Sequence, residues 1–213
     1  MMNQWEIKKN TKQAIVEAAL QLFHTKGFDG TSIRDIAQKA KTNSANIAYY
    51  FKNKHGLLEY CFVRYLEDYI TIIELEVAKL EETTADQCLL SVVSKLIAYQ
   101  RKNHLAARFV IREMTLDTNL NREIIATYMA KENYNFQCII NYGIKKKVFR
   151  KVCSSTFILQ LKGLLSAPVM HAHYAQELLQ FYPQEKYYMN KYRYQCELFI
   201  TQYLLKQKEE VVT

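Results

Sequence analysis

Proline and glycine are scarce in this sequence, at two and five among 213 residues. Tight hairpins draw on both, so a fold of many short strands is excluded. Acid is short as well. Against 29 Lys and Arg stand 21 Asp and Glu, giving a formal net charge of +8 and a pI near 9.1. That balance suits a polyanionic partner without requiring one. No Cys-x-x-Cys spacing occurs among Cys61, Cys88, Cys138, Cys153 and Cys196. An odd number of scattered thiols argues against a disulfide framework and a thiolate zinc site, and fits a reducing compartment. No apolar run approaches the roughly 18 residues of a membrane span. The first ten residues, with Trp5 and Glu6, do not form a signal peptide. A Gly-rich phosphate loop, a nucleophile elbow and a His-Glu-x-x-His are all lacking, so an enzyme is not expected and no catalytic residue or cofactor is assigned.

What is present is helical periodicity. Ile15, Ala18, Ala19, Leu22 and Phe23 share one helix face, with Asn10 as the expected cap and Gly27 as the end. Thr31 or Ser32 caps a second helix that buries Ile33, Ile36, Ala37 and Ala40. Asn43 caps a third, in which Ile47, Tyr50 and Phe51 share a side, and Asn53 begins a fourth reaching about Glu82. Further helices are expected near 86–102, 105–115, 119–147, 155–167, 169–181 and 185–207. The expected fold class is therefore all-α. Helices are short through the first 56 residues, where Gly27, Gly30 and Gly56 fall, and long thereafter. This divides the chain into a helix-turn-helix domain at 1–54 and a helical dimerisation and regulatory domain at 55–213.

The third helix has small and amide residues at its start. With Ile47, Tyr50 and Phe51 turned inward, Ser44, Ala45, Asn46, Ala48 and Tyr49 face outward wholly or in part. Such a helix can enter a major groove: Asn bonds adenine N6 and N7 together, and Ala lets the backbone approach. On spacing alone, a helical hairpin with an ordinary polar face is an equal reading.

The run Lys26-Gly27-Phe28-Asp29-Gly30-Thr31-Ser32-Ile33-Arg34-Asp35-Ile36-Ala37, followed by Ala48-Tyr49-Tyr50-Phe51-Lys52-Asn53-Lys54-His55-Gly56-Leu57-Leu58, resembles the N-terminal domain of the TetR family of bacterial regulators. The resemblance covers about residues 10–60. It implies an all-helical homodimer whose first three helices bind operator DNA, while the remaining helices dimerise and often hold a ligand. By position it implies a base or phosphate contact at Arg34, base reading at Ser44, Ala45 and Asn46, and phosphate contacts at Tyr49, Tyr50 and Lys54. Thr31 and Asn43, at the two helix starts, complete the expected DNA-facing set with Lys41. Lys41 replaces the usual turn glycine, so that either the turn is built differently or it offers an extra phosphate contact, whereas Ala48 replaces a tyrosine common in the family and removes one phosphate contact.

Three later segments, Arg108–Glu113, Arg122–Tyr128 and Phe157–Lys162, are similar to those of a TetR-like DNA-binding regulator of bacterial cell division. This makes Arg101, Arg108 and Arg112 a candidate patch for a protein partner. The same arginines could instead pair with Glu113, Asp117 and Glu123 on the surface, or line a pocket for an anionic ligand. Lys145, Lys146, Lys147, Arg150 and Lys151 read as a solvated helix end rather than a nucleic-acid patch. His171 and His173, two apart with no acidic or thiol companion, are not expected to bind metal. Two stripes, Tyr188, Tyr192, Cys196, Phe199 and Tyr203, and Phe157, Leu161, Leu164 and Leu165, are expected to feed a dimer interface, with part of each filling the monomer core. The combined expectation is a cytoplasmic, nucleoid-associated regulator that binds double-stranded DNA as a homodimer on a pseudo-palindromic operator. A small-molecule effector or a protein partner is expected at the C-terminal domain. The alternative is a chromosome-bound regulator of cell division.

Overall fold

The computed structural model describes residues 4–115 and 122–205. They form α1 (Gln4–Lys26), α2 (Ile33–Lys39), α3 (Ser44–Phe51), α4 (Lys54–Val77), α5 (Ala85–Lys102), α6 (His104–Thr115), α7 (Arg122–Lys145), α8 (Ser154–Met170), α9 (Ala172–Leu179) and α10 (Lys186–Leu204). Asp117 lies outside the described residues, as do 119–121 of the expected seventh helix and 206–207 of the last. Asn10 is not a cap but an exposed residue inside α1, since the six residues before it contain no helix breaker. α4 stops at Val77, short of the expected Glu82.

The chain divides into two compact units. The first comprises residues 1–66 and 105–121, and the second 67–104 and 122–213. From Leu105 on, α6 belongs to the same unit as the short helices. Its core is built from Ile15, Ala19 and Phe23 of α1, Ile36 of α2, Ile47 and Phe51 of α3, Leu57, Leu58 and Phe62 of α4, and Phe109 of α6, all buried. Phe109 lies 5.5 Å from Phe23 and 5.2 Å from Phe62, ring centroid to ring centroid. Each of the Ile, Leu and Phe side chains contributes roughly 1.5–3 kcal/mol by leaving water, and Ala19 less.

In the second unit α5 is central, burying Leu89, Val92, Val93, Leu96 and Ile97 among residues of α7, α8 and α10. Phe157, Leu161, Leu165 and Cys196 are the members of the two stripes that fill this core. Leu164, Tyr192 and Tyr203 are half-buried against it. Phe199, of the α10 stripe, is exposed and lies outside that core. Pro168 sits inside α8. Proline has no N–H, so it frees the carbonyl four residues earlier. That carbonyl belongs to Leu164, and the Tyr192 hydroxyl of α10 donates to it at 2.7 Å. Deeper in the unit, the buried Glu132 carboxylate accepts from the Tyr69 hydroxyl at 2.9 Å and from Lys162 at 2.6 Å.

Glu76 organises the turn that follows α4. Its carboxylate accepts from Lys79 at 2.7 Å, Lys95 at 2.6 Å and Ser91 at 2.6 Å, while the Cys88 thiol donates to its carbonyl. Burial pushes this carboxyl up, but the three donors outweigh burial and hold it at about 2, against an ordinary 4.5. A carboxyl depressed on folding stabilises the folded state above its unfolded pKa, and that contribution is lost as pH falls through the folded value. Glu76→Gln should therefore destabilise the chain by about 2–3 kcal/mol at neutral pH. In denaturant titrations the gap to wild type should narrow between pH 4.5 and about 2. A gap independent of pH would remove the ionic role of Glu76.

Candidate nucleic-acid interface

Seven residues of α2 cannot make a stable helix alone, so capping matters. The Ser32 hydroxyl accepts from the Asp35 N–H while the Asp35 carboxylate accepts from the Ser32 N–H at 2.9 Å, a reciprocal capping box. Bonds donated to the carboxylate by the Ser32 N–H and by the Ser32 hydroxyl, the latter at 2.7 Å, hold the Asp35 carboxyl below its ordinary value, with Lys26 adding a smaller pull. The turn into α3 is closed by the Thr42 N–H on the Ala37 carbonyl at 2.9 Å. Lys41 takes the left-handed conformation there, with φ of 52°. The turn has thus kept the backbone shape that a glycine would adopt freely, and the lysine is exposed on it.

Asn43 caps α3, its side-chain oxygen accepting from the Asn46 N–H at 2.8 Å. Ile47 and Phe51 anchor the helix inward and Tyr50 is half-buried. Ser44, Ala45, Ala48 and Tyr49 are exposed, Tyr49 by 72%. The Asn46 amide donates one hydrogen to the Thr42 hydroxyl at 2.7 Å. Its second hydrogen and its oxygen are the pair that a purine edge requires, and the Thr42 bond fixes the plane in which they lie.

The corner after α3 is tight. Lys52 has φ of 65° and ψ of −56°, and the Asn53 N–H reaches back to the Phe51 carbonyl at 2.8 Å, which makes a strained γ-turn. Gly56 is needed just beyond, because a Cβ there would stand 2.1 Å from that same carbonyl. Arg34 and Lys52 are exposed on this side of the sequence, and Lys52 escaped the reading from sequence although it sits inside the motif.

Two expected DNA contacts are placed differently. Thr31 is 1% exposed, and its hydroxyl donates to the Gly27 carbonyl at 2.7 Å, so its side chain closes the α1–α2 loop instead of facing outward. Lys54 is half-buried, donates to the Phe28 and Thr31 carbonyls at 3.0 Å each, and lies 4.3 Å from the centre of the Phe28 ring. Two of its three hydrogens serve the loop, and a phosphate could share only the third. Gly27, with φ of 77°, starts that loop. Among the arginines, Arg112 donates to the Phe23 carbonyl and to Glu113, each at 3.2 Å, while Arg101 lies in the other unit. No group of three or more His, Cys, Asp or Glu among the described residues is placed to hold a metal ion, and no described helix is long and apolar enough to cross a membrane.

A capped pair of short helices, joined by a left-handed turn and exposing small, amide and cationic side chains, defines a helix-turn-helix protein. Residues 15–61 match the family described as bacterial regulatory proteins, tetR family. Over 194 residues the chain is 39% identical to the probable HTH-type transcriptional regulator YttP of Bacillus subtilis (strain 168), covering 91% of this chain and 94% of that protein. Among solved structures it is similar to PfmR, a TetR family transcriptional regulator from Thermus thermophilus, with a TM-score of 0.73 and 20% identity over 90% of this chain and 99% of that one. The transcriptional regulator FadR from Bacillus subtilis, in complex with stearoyl-CoA, matches with a TM-score of 0.70 and 19% identity over 88% of this chain and 96% of that one. The chain belongs to the TetR family of bacterial transcriptional regulators, not to an enzyme family.

Replacing Lys41 by Gly should remove the left-handed strain and stabilise the chain by about 0.5–1 kcal/mol. Thermal melts at matched concentration check this, and a melting temperature below wild type would show that the Lys41 side chain stabilises the turn.

Proposed function

We propose that the chain is a sequence-specific double-stranded DNA-binding regulator that acts as a homodimer on a pseudo-palindromic operator. The observation that carries this reading is the exposed N-terminal face of α3, where Ser44, Ala45 and the Thr42-oriented Asn46 amide stand together. In the proposed complex Asn46 reads a base, Ser44 and Ala45 permit close approach, and Arg34, Lys41, Tyr49 and Tyr50 meet the backbone. Asn43 contributes by capping α3. Lys54 acts mainly through the loop it holds.

The probe is a duplex that the wild-type protein selects from a randomised pool. Asn46→Ala should weaken binding to it by about 1–3 kcal/mol and relax preference at one position per half-site. Arg34→Ala should weaken all duplexes alike and lower the salt slope by about one. Failure to enrich any sequence would remove the operator reading, and undiminished discrimination in Asn46→Ala would remove Asn46 as its reader.

The proposed dimer uses the outward faces of α8 and α10. Leu159 is 74% exposed, and Tyr187, Tyr194 and Phe199 are exposed as well. Tyrosine and other aromatics are favoured at such interfaces. Sedimentation should show a species near twice 25.1 kDa, and Leu159→Lys should shift it toward the monomer. A wild-type monomer at micromolar concentration, with and without DNA, would overturn the dimer.

For the second unit we read a small-molecule effector. The solved FadR holds stearoyl-CoA, and here Gln100 is a buried residue whose side-chain oxygen has no partner. The reading as a cell-division regulator gains no support from the arginine patch, since Arg112 is engaged with Phe23 and Arg101 belongs to a different unit from Arg108.

A further inference from the structure

We propose that Arg112 is a positioning residue for DNA binding, which it serves without touching DNA. The inference rests on the operator reading above and deepens it. α6 follows α1 by some eighty residues, yet both belong to the first unit. Phe109 docks α6 there by lying against Phe23 and Phe62. One turn later the Arg112 guanidinium, stacked 6.0 Å from the Phe109 ring, donates to the Phe23 carbonyl. That carbonyl lies in the last turn of α1 and also accepts from the Gly27 N–H at 3.1 Å. A helix C-terminus carries partial negative charge, so a cation is favoured at this end. Glu113, itself buried, accepts from the same guanidinium and keeps it from swinging away.

The position of the contact gives it its consequence. Everything that faces DNA leaves α1 through Gly27, and the loop beyond is tied by its carbonyls. The Thr31 hydroxyl takes that of Gly27, and Lys54 takes those of Phe28 and Thr31. Arg112 anchors the helix turn from which that loop departs. With Arg112 gone, α2 and α3 keep their own bonds, but their exit angle from α1 loses its tether. A dimer must seat two recognition helices about one DNA turn apart, so a loss of angular definition appears as lost affinity and blurred spacing preference.

The test uses full-length protein and the duplex selected by wild type. Arg112→Met keeps the stem over Phe109 and removes the donors. It should bind the selected duplex about tenfold more weakly. It should also discriminate less between that duplex and versions with one base pair added to or removed from the half-site spacing, while its salt slope stays at the wild-type value because no phosphate contact is lost. Arg112→Lys should restore part of the affinity. Wild-type affinity and spacing discrimination in Arg112→Met would overturn the proposal, and a salt slope lowered by about one would overturn it in favour of a direct phosphate contact. If Arg112→Met does not fold, Arg112→Leu, which also lacks the donors, carries the same comparison. Absence of any selected duplex for wild type would instead remove the operator reading itself.

Discussion

The loop between α1 and α2 must satisfy its backbone carbonyls before anything beyond it can be oriented. Buried carbonyls without donors cost about 1–3 kcal/mol each, and the loop's own backbone meets only part of the need, the Thr31 N–H reaching the Phe28 carbonyl at 3.2 Å. Side chains supply the rest: the Thr31 hydroxyl of the loop itself, the Lys54 ammonium at the start of α4, and, one turn earlier in α1, the Arg112 guanidinium of α6. Phe28 is held in the same knot by Phe23 at 5.4 Å, His55 at 5.0 Å and the Lys54 charge over its ring. The α2–α3 pair, fifteen helical residues in all, inherits its placement from this knot.

Strained backbone flanks α3 on both sides. Lys41 before it and Lys52 after it both take positive φ. A glycine at either place would be more comfortable and would carry no charge. Keeping a cation at each corner puts positive charge at both ends of α3, at a cost of about 1–3 kcal/mol per strained residue. The capping box of α2 and the Asn43 cap of α3 help to offset it.

The second unit solves a different problem. It buries Glu76 and Glu132, and it gives each a lysine together with a hydroxyl: Lys95 and Ser91 for the first, Lys162 and Tyr69 for the second. A buried carboxylate lacking such partners would be several kcal/mol too costly to keep ionised. These pairs join α4 to α5 and α4 to α7 and α8, so they also fix which helices neighbour one another.

The all-α class, the short helices and the motif at 26–58 were legible in sequence because each depends on local signals: periodicity, caps and turn residues at fixed offsets. Ser32, Asn43 and Gly27 do what their positions announced. Boundaries were less legible where no breaker marks them, as at Asn10 and at Val77. Side-chain direction was hidden wherever a polar group had two suitors. Thr31 and Lys54 sit in a DNA-binding motif, yet a carbonyl 4 residues away in the chain claims one, and carbonyls 23 and 26 residues away claim the other. Apolar stripes on α8 and α10 show that a face is buried, not whether the same chain or a second copy buries it. Arg112 is the extreme case. Its partner is a backbone carbonyl 89 residues away, an acceptor present in every residue and therefore invisible in any sequence pattern. Only the packing of Phe109 against Phe23 brings the two together, and so tertiary structure alone decided what that arginine does.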